Sequence, residues 1–478
     1  MRSTKIEGND KGAKPKPTKE LKEPKEPYFN PLPPVSDVLR PAPLLFTWGC
    51  GNSGQFGAGV ECLGELSKPQ RNKLVESMME QGAFGEKGAG LEWIAAGGMS
   101  SLFVDEEGKV WSCGANDNAA LGRETVGVPD PKKKKKTLDE DHLCSTPFPI
   151  QSLVDEGFRA VRVVAGDSIA AAISDKGELR VWGTFRAMEG LLGFSGSQTH
   201  QYQPVPVVNL MSKPGEAERF VDVMAGNDHV VVLTTHGNIY TWGTGERGQL
   251  GRKVLERHKL KATTPERIVI STRTNKALYV GAGSYTSFAV DAVGTVWGWG
   301  ANSTGQTGTG FKTGDDREVL VPKKVVGLSP AELGDDDVVV QIAGGDDHTL
   351  FLTERGRVFA CGLSIGGQLG LADDDEAFHE RTFPDFLDQP ALVTLPDDHE
   401  EDPVIQISAG TRTSMAITAS GVLYMWGEGS QSELGAGDEE MLKTPTAIVK
   451  KTGSWKAIMG SCGGQHALAL LQKKPVVE

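Results

Sequence analysis

The sequence predicts an all-β chain, a seven-bladed β-propeller of four-stranded blades with the ring closed by pairing the N- and C-terminal segments. Three observations predict it. A unit seen most clearly in residues 223–252, VMAGNDHVVVLTTHGNIYTWGTGERGQLGR, recurs with reference glycines at Gly97, Gly166, Gly226, Gly283, Gly345, Gly410 and Gly463. Within the units two spacings are constant: a turn glycine eleven residues after the reference (Gly108, Gly177, Gly237, Gly294, Gly356, Gly421) and another six residues further (Gly114, Gly183, Gly243, Gly300, Gly362, Gly427). The chain ends are complementary halves. From Leu44 the sequence LLFTWGCGNSGQFG matches the second half of a unit, whereas the unit at Gly463 stops after 467–471 without a WG strand. Joining them removes the free edges on which sheets aggregate.

Residues 1–43 alternate Lys, Glu and Pro with almost no apolar residue before Tyr28, so they read as a disordered basic tail, leaving 44–478 as the propeller. The tail is either a solubilising segment or a nuclear-import or chromatin-contacting arm. Each unit then supplies four strands; in the second they are 161–165, 170–174, 179–183 and one beginning near Pro204. The last strand carries a recurrent proline, two to four residues before a β-branched residue, at Pro147, Pro204, Pro265, Pro322, Pro390 and Pro445. Proline lacks a donor, which puts this strand at the outer edge of its blade. With strands alternating in direction, the Ala-Gly turns and the loops after the WG strand share one face, and the glycine hairpins lie on the other. That reading gathers Asp167, Asp228, Arg252 and the loop 184–192 on a common face.

Composition agrees with a turn-rich β chain: 478 residues, 38% hydrophobic, with 60 Gly and 26 Pro. No apolar stretch of ~18 residues and no apolar leader is present, so a soluble intracellular protein without membrane contact is expected. The six cysteines lack CxxC pairing, Cys113 and Cys361 fall where other units carry tryptophan, and all six read as reduced core residues. Net charge is −13, although the first 43 residues hold nine Lys or Arg against six Asp or Glu. An acidic body argues against broad nucleic-acid binding by the ring, and a basic arm suits an anionic partner.

GxGxxG occurs at Gly49–Gly54 and Gly243–Gly248, but no helix follows to receive a pyrophosphate and the pattern repeats from blade to blade, so these glycines serve turns. His229, His348 and His466 occupy one position in three blades, as imidazoles bonded between blades or as partner contacts. The loop 184–193, TFRAMEGLLG, breaks the common pattern with bulky apolar residues, and either packs on a neighbour or wedges into a partner. Lys132, Lys133, Lys134, Lys135 and Lys136 form a basic run, a solvated loop or a contact for DNA, histone or an import receptor. No nucleophile with base and orienting group, no HExxH and no Walker lysine loop is present, and neither metal nor cofactor is expected. Binding is therefore the favoured kind of function.

Units carrying AGxxH, xxGxVxxWG and GQLG from Leu44 to Leu471 resemble the regulator of chromosome condensation repeat family. The resemblance implies a seven-bladed propeller closed by its terminal segments. Ubiquitin ligases and a plant UV-B receptor also carry such repeats; the chain outside the ring is too short for a ligase domain, and GWRHT motifs are absent. Residues 183–193, Asp167 in AGDS and 223–252 are most similar to the family's nucleotide exchange factors for the small GTPase Ran. On that resemblance Phe185, Arg186, Ala187, Met188, Glu189, Gly190 and Leu191 form a β-wedge against the GTPase near its nucleotide, and Asp167, Asp228, Arg252, Asp347 and His466 are contacts. It further implies a nuclear monomer held on chromatin by Lys14, Lys16 and the Lys132–Lys136 loop. Asp347, Asn52 and Ile169 depart from the residues usual in such factors. The rival reading is a propeller scaffold or chromatin adaptor without exchange activity.

Overall fold

A computed structural model describes residues 28–133, 135–207, 210, 217–270, 276–311, 314–334, 336–379, 381–396 and 401–475. They form seven four-stranded antiparallel blades arranged as a ring. Blade 2, for example, comprises Ala160–Ala165, Ile169–Ser174, Leu179–Gly183 and Gln201–Val205, and blade 3 comprises Phe220–Ala225, His229–Thr234, Ile239–Gly243 and Glu266–Ile268. Blade 7 takes Trp455–Cys462 and His466–Lys473 from the C-terminal end, and Leu44–Cys50 and Glu65–Arg71 from the N-terminal end. Leu44 lies opposite Leu471 and Gly49 opposite His466, so the ring closes as the half-units require.

The second strand of each blade is covered on both faces by neighbouring blades, which is why it reads as a continuous run rather than an alternating one. Ile169–Ser174, His229–Thr234 and His348–Thr353 are buried at every residue. The apolar core divides into seven clusters, one at each blade-to-blade interface. Burying a Val, Leu or Ile contributes about 1.5–3 kcal/mol against about 0–1 for an exposed ion pair, so these interfaces hold the ring.

At four interfaces the third-strand tryptophan extends across to a carbonyl of the glycine loop in the preceding blade. Trp182 Nε1 donates to Ala120 O at 2.8 Å, Trp299 to Gln249 O at 2.9 Å, Trp426 to Gln368 O at 3.0 Å and Trp48 to Glu433 O at 2.8 Å. Where cysteine replaces tryptophan the same reach survives, with Cys113 Sγ 3.6 Å from Gln55 O and Cys361 Sγ 3.7 Å from Gln306 O. Those two cysteines, Cys50 and Cys462 are buried as expected, but Cys62 is exposed and Cys144 half-buried.

Inner strands line a central shaft of about 830 Å³. At one mouth the Ala-Gly turns are stitched around the ring by backbone bonds, Gly98 N to Gly166 O, Asp167 N to Asn227 O, Asn227 N to Ser284 O, Ser284 N to Gly345 O, Asp346 N to Thr411 O and Gly464 N to Gly97 O.

One boundary needs correction. Residues 1–27 lie outside the described residues, but 28–43, expected as part of the tail, lie across the opposite mouth. Asn30 is buried, its Nδ2 donating to Thr234 O at 3.0 Å and Ala277 O at 2.9 Å. Arg40 makes a forked pair with Glu106, both contacts at 2.7 Å, and Gln472 donates to Pro41 O. Apolar contact and hydrogen bonds seat it together: Leu32 packs on the cluster between blades 3 and 4, Ala42 on that between blades 7 and 1, and Lys276 lies over the Phe29 ring.

Candidate functional site

In blade 2 the connection from third to outer strand leaves Gly183 and folds into a small hairpin, Arg186–Ala187 against Gly190–Leu191, with Met188 and Glu189 at the tip. Its base is apolar. Phe185 is fully buried, stacks on Phe194 at 6.3 Å, and joins Val230, Val232 and Trp242 of blade 3 in one cluster. Gly243, at φ +117°, leaves room for this, since a Cβ there would sit 2.5 Å from Asp228 O and 2.9 Å from the Phe185 ring. The tip is free. Met188 is 71% exposed and Leu191 48%, two apolar side chains presented to solvent on a rigid support.

Carboxylates flank the hairpin. Asp228 Oδ1 accepts from Arg186 N–H at 2.8 Å, and Asp167 lies 3.6 Å from the Arg186 guanidinium. Burial pushes the Asp228 carboxyl up to about 7; the Arg186 N–H bond opposes this and the neighbouring Asp167 adds to it. Burial also raises Asp167 and Asp347, with Arg186 opposing at the first and Arg412 and Arg247 at the second. Asp347 lies on the corresponding turn of blade 5, where its carbonyl accepts from Leu363 N and Thr304 Oγ1.

The structure thus brings together Asp167, Asp228, Arg186, Ala187, Met188, Glu189, Gly190 and Leu191, with Asp347 on the same face. Three expected contacts are not available as such. Phe185 is enclosed, because its ring fills the interface between blades 2 and 3. His466 is 1% exposed and bonded to Ser101 Oγ at 2.8 Å across the blade 7 to blade 1 interface. His229 and His348 reach Ser287 and Ser414 in the same way, and the backbone of Thr286 and Thr413 in the adjoining blades also bonds to them, so the imidazoles bond between blades. Arg252 is turned aside to Glu266 at 3.3 Å, and Glu266 is level with the middle of the third strand of blade 3 rather than with the rim.

Sequence reasoning missed the residues that hold the hairpin. Thr244 Oγ1 donates to Arg186 O at 2.5 Å, Glu246 Oε2 accepts from Met188 N–H at 2.8 Å, and Lys259 pairs with Glu189 at 3.1 Å. Thr244 and Glu246 belong to the glycine loop of blade 3, whose repeat pattern concealed them; the acidic residue in that loop, beside the one irregular blade, was the available signal.

The lysine run sits on a tight loop closed by Asp130 N to Lys136 O and Leu138 N to Val128 O, both 2.8 Å, with Lys132, Lys133, Lys135 and Lys136 exposed. Lys134, Lys14 and Lys16 lie outside the described residues. Among the described residues no cluster of three or more His, Cys, Asp or Glu is placed to hold a metal, and no helix is long and apolar enough to cross a membrane.

The RCC1-like domain model matches residues 44–469. The guanine nucleotide exchange factor SRM1 of Saccharomyces cerevisiae is 31% identical over 448 residues, covering 89% of this chain and 86% of that protein. The crystal structure of Prp20p from the same yeast, described together with its binding properties to Gsp1p and histones, superposes with a TM-score of 0.77 at 29% identity, covering 92% of this chain and 93% of that one. The structure of Kap60 bound to yeast RCC1 (Prp20) gives a TM-score of 0.79 at 29% identity over 96% of each chain.

Proposed function

The chain belongs to the RCC1-like domain family, and on that premise we propose that it is a guanine nucleotide exchange factor that binds the small GTPase Ran, promotes release of GDP and allows GTP to load. The observation that carries this reading is the blade 2 hairpin, a braced projection with an apolar tip beside two carboxylates. A scaffold that only joins partners has no use for such a wedge.

The reaction requires no bond to be made or broken by this chain. The propeller binds the nucleotide-free GTPase more tightly than the loaded one, and by linkage the nucleotide is bound less tightly when the propeller is present. An affinity difference of 10⁴-fold, about 5.5 kcal/mol, is enough to invert a 99:1 population. Met188 at the tip and Leu191 below it supply apolar contact, Glu189 and Arg186 polar contacts beside them, and Asp167, Asp228 and Asp347 the rim. Ala187 and Gly190 keep the hairpin narrow enough to enter between elements of the partner.

The exposed lysines of the 128–138 loop, together with the basic segment 1–27, would hold the exchanger on chromatin through histones or DNA and place GTP loading in the nucleus. The histone binding described for Prp20p and the Kap60 complex of yeast RCC1 support chromatin and an import receptor as partners.

The test is release of fluorescent GDP from purified Ran with and without this protein, beside Asp228→Ala. Acceleration that the variant loses supports exchange from this face. No acceleration by folded protein, with Ran that EDTA can strip, defeats the reading and leaves the scaffold.

A further inference from the structure

We propose that Glu246 and Thr244, from the glycine loop of blade 3, are positioning residues for exchange: they fix the blade 2 hairpin in the attitude from which its tip enters the GTPase. The proposal rests on the exchange reading above and concerns what makes the wedge stiff enough to act.

A two-stranded hairpin is at best weakly stable in water. This one has two residues in each strand and two cross-strand pairs, Ala187 with Gly190 and Arg186 with Leu191. The outer edge of its first strand displays the N–H of Arg186, the C=O of Arg186 and the N–H of Met188. Every one of these is met by a side chain of blade 3: Asp228 Oδ1 at 2.8 Å, Thr244 Oγ1 at 2.5 Å and Glu246 Oε2 at 2.8 Å. Three side chains thus take the place of a third strand.

Their own support is rigid. Thr244 N donates to Asp228 O at 2.8 Å, and the loop carrying Glu246 turns through Gly248 and Gly251 onto buried Gln249 and Leu250. A bond from a backbone N–H to a carboxylate is charge-assisted, about twice as strong as a neutral one. Lys259 also reaches the hairpin through Glu189, but Glu189 is 80% exposed, so that pair adds little. Glu246 holds the hairpin nearest its tip, where an angular error displaces Met188 most. Thr244 Oγ1 and Glu246 Oε2 are engaged with the hairpin backbone, and through those bonds both act on the wedge.

The experiment measures GDP release from Ran over a range of Ran concentrations for the full-length protein, Glu246→Ala, Glu246→Gln and Thr244→Val, with hydrogen exchange of the 184–193 peptide followed by mass spectrometry on each protein alone. Loss of Glu246 is expected to lower the maximal rate about ten- to hundredfold, the factor for one unmade charge-assisted bond, while KM shifts less than about threefold. Glu246→Gln, whose amide oxygen still accepts from Met188 N–H, should recover most of the rate, and Thr244→Val should fall between. The 184–193 amides should exchange faster in Glu246→Ala and Thr244→Val but not in Glu246→Gln. If Glu246→Ala exchanges nucleotide like the parent, or if Glu246→Gln is as slow as Glu246→Ala, the positioning role is refuted. If the parent protein does not accelerate release at all, the exchange reading fails separately. The hydrogen-exchange arm still decides the clamp in that event, and unchanged protection in Glu246→Ala refutes it.

Discussion

Replacing Asp228 with asparagine should make the protein more stable and less active. The carboxyl is pushed up to about 7 from an ordinary value of 3.8, because burial outweighs the Arg186 N–H bond and Asp167 adds repulsion. The folded state therefore retains a proton that the unfolded chain releases between pH 4 and 7. Across that window the folded protein binds more protons than the unfolded one, so stability falls as pH rises and levels off above pH 7. A displacement of about three units corresponds to about 4 kcal/mol, and halving it for the solvent open to this rim residue leaves about 2 kcal/mol at pH 7.5. Asparagine has no charge to desolvate and its amide oxygen can still accept from Arg186 N–H. Urea unfolding at pH 4.5, 6 and 7.5 measures the difference: Asp228→Asn should match the parent at pH 4.5 and gain steadily to about 2 kcal/mol at pH 7.5. Its exchange rate should drop at pH 7.5, where the parent carries the charge, and converge on the parent below pH 6. A stability difference independent of pH, or a variant less stable at pH 7.5, would refute the argument that this carboxylate is kept at the site against the interest of the fold.

Three further outcomes are expected. His229, His348 and His466 are held neutral, burial lowering them to about 4, 4 and 3. The stability they contribute is complete above pH 6.5 and is lost as pH falls through those values, so His466→Asn should reduce the acid slope of unfolding by about 1.4 kcal/mol per pH unit. Trp182→Phe removes one ring of a fully buried indole and leaves Ala120 O without its 2.8 Å donor, so the lost bond, about 1–3 kcal/mol, and the cavity should together lower stability in urea unfolding by more than either alone. Asn30→Ala leaves the Thr234 and Ala277 carbonyls unmet by a side chain and should cost a similar ~1–3 kcal/mol; an unchanged midpoint would mean that 28–43 lie on the ring without stabilising it.

The ring was legible in the sequence because its constraints are local and repeated. The positive φ of Gly237 and Gly243 and the reach of Trp182 or Trp299 to a neighbouring carbonyl recur at fixed spacing, so the same physical demand leaves the same letter many times. Even the exceptions follow the rule, since Cys113 and Cys361 point at the carbonyls that tryptophan would meet. The seat of 28–43 was not legible, because Asn30 bonds to backbone carbonyls of residues 234 and 277 and a carbonyl has no signature in sequence.

The site divides along the same line. The hairpin 186–191 announced itself by breaking the pattern, and its exposed tip lies on the face that strand alternation assigned. His466 and Phe185 were misjudged from opposite directions. A histidine at a repeated position looks functional in any one blade, but repetition is the mark of a structural demand, met here by Ser101, Ser287 and Ser414 in the adjoining blades. Phe185 lies within the irregular loop, yet it is the residue that roots that loop in the core. Thr244 and Glu246 occupy variable positions inside a loop whose glycines keep the repeat, so only the acidic letter beside the irregular blade marked them, although that blade uses both for a purpose the repeat does not require. A departure from a repeat thus marks what a partner meets, while the side chains that make the departure rigid are recruited from units that still obey it. Substitutions that silence the wedge should accordingly be found in blade 3 as well as in blade 2.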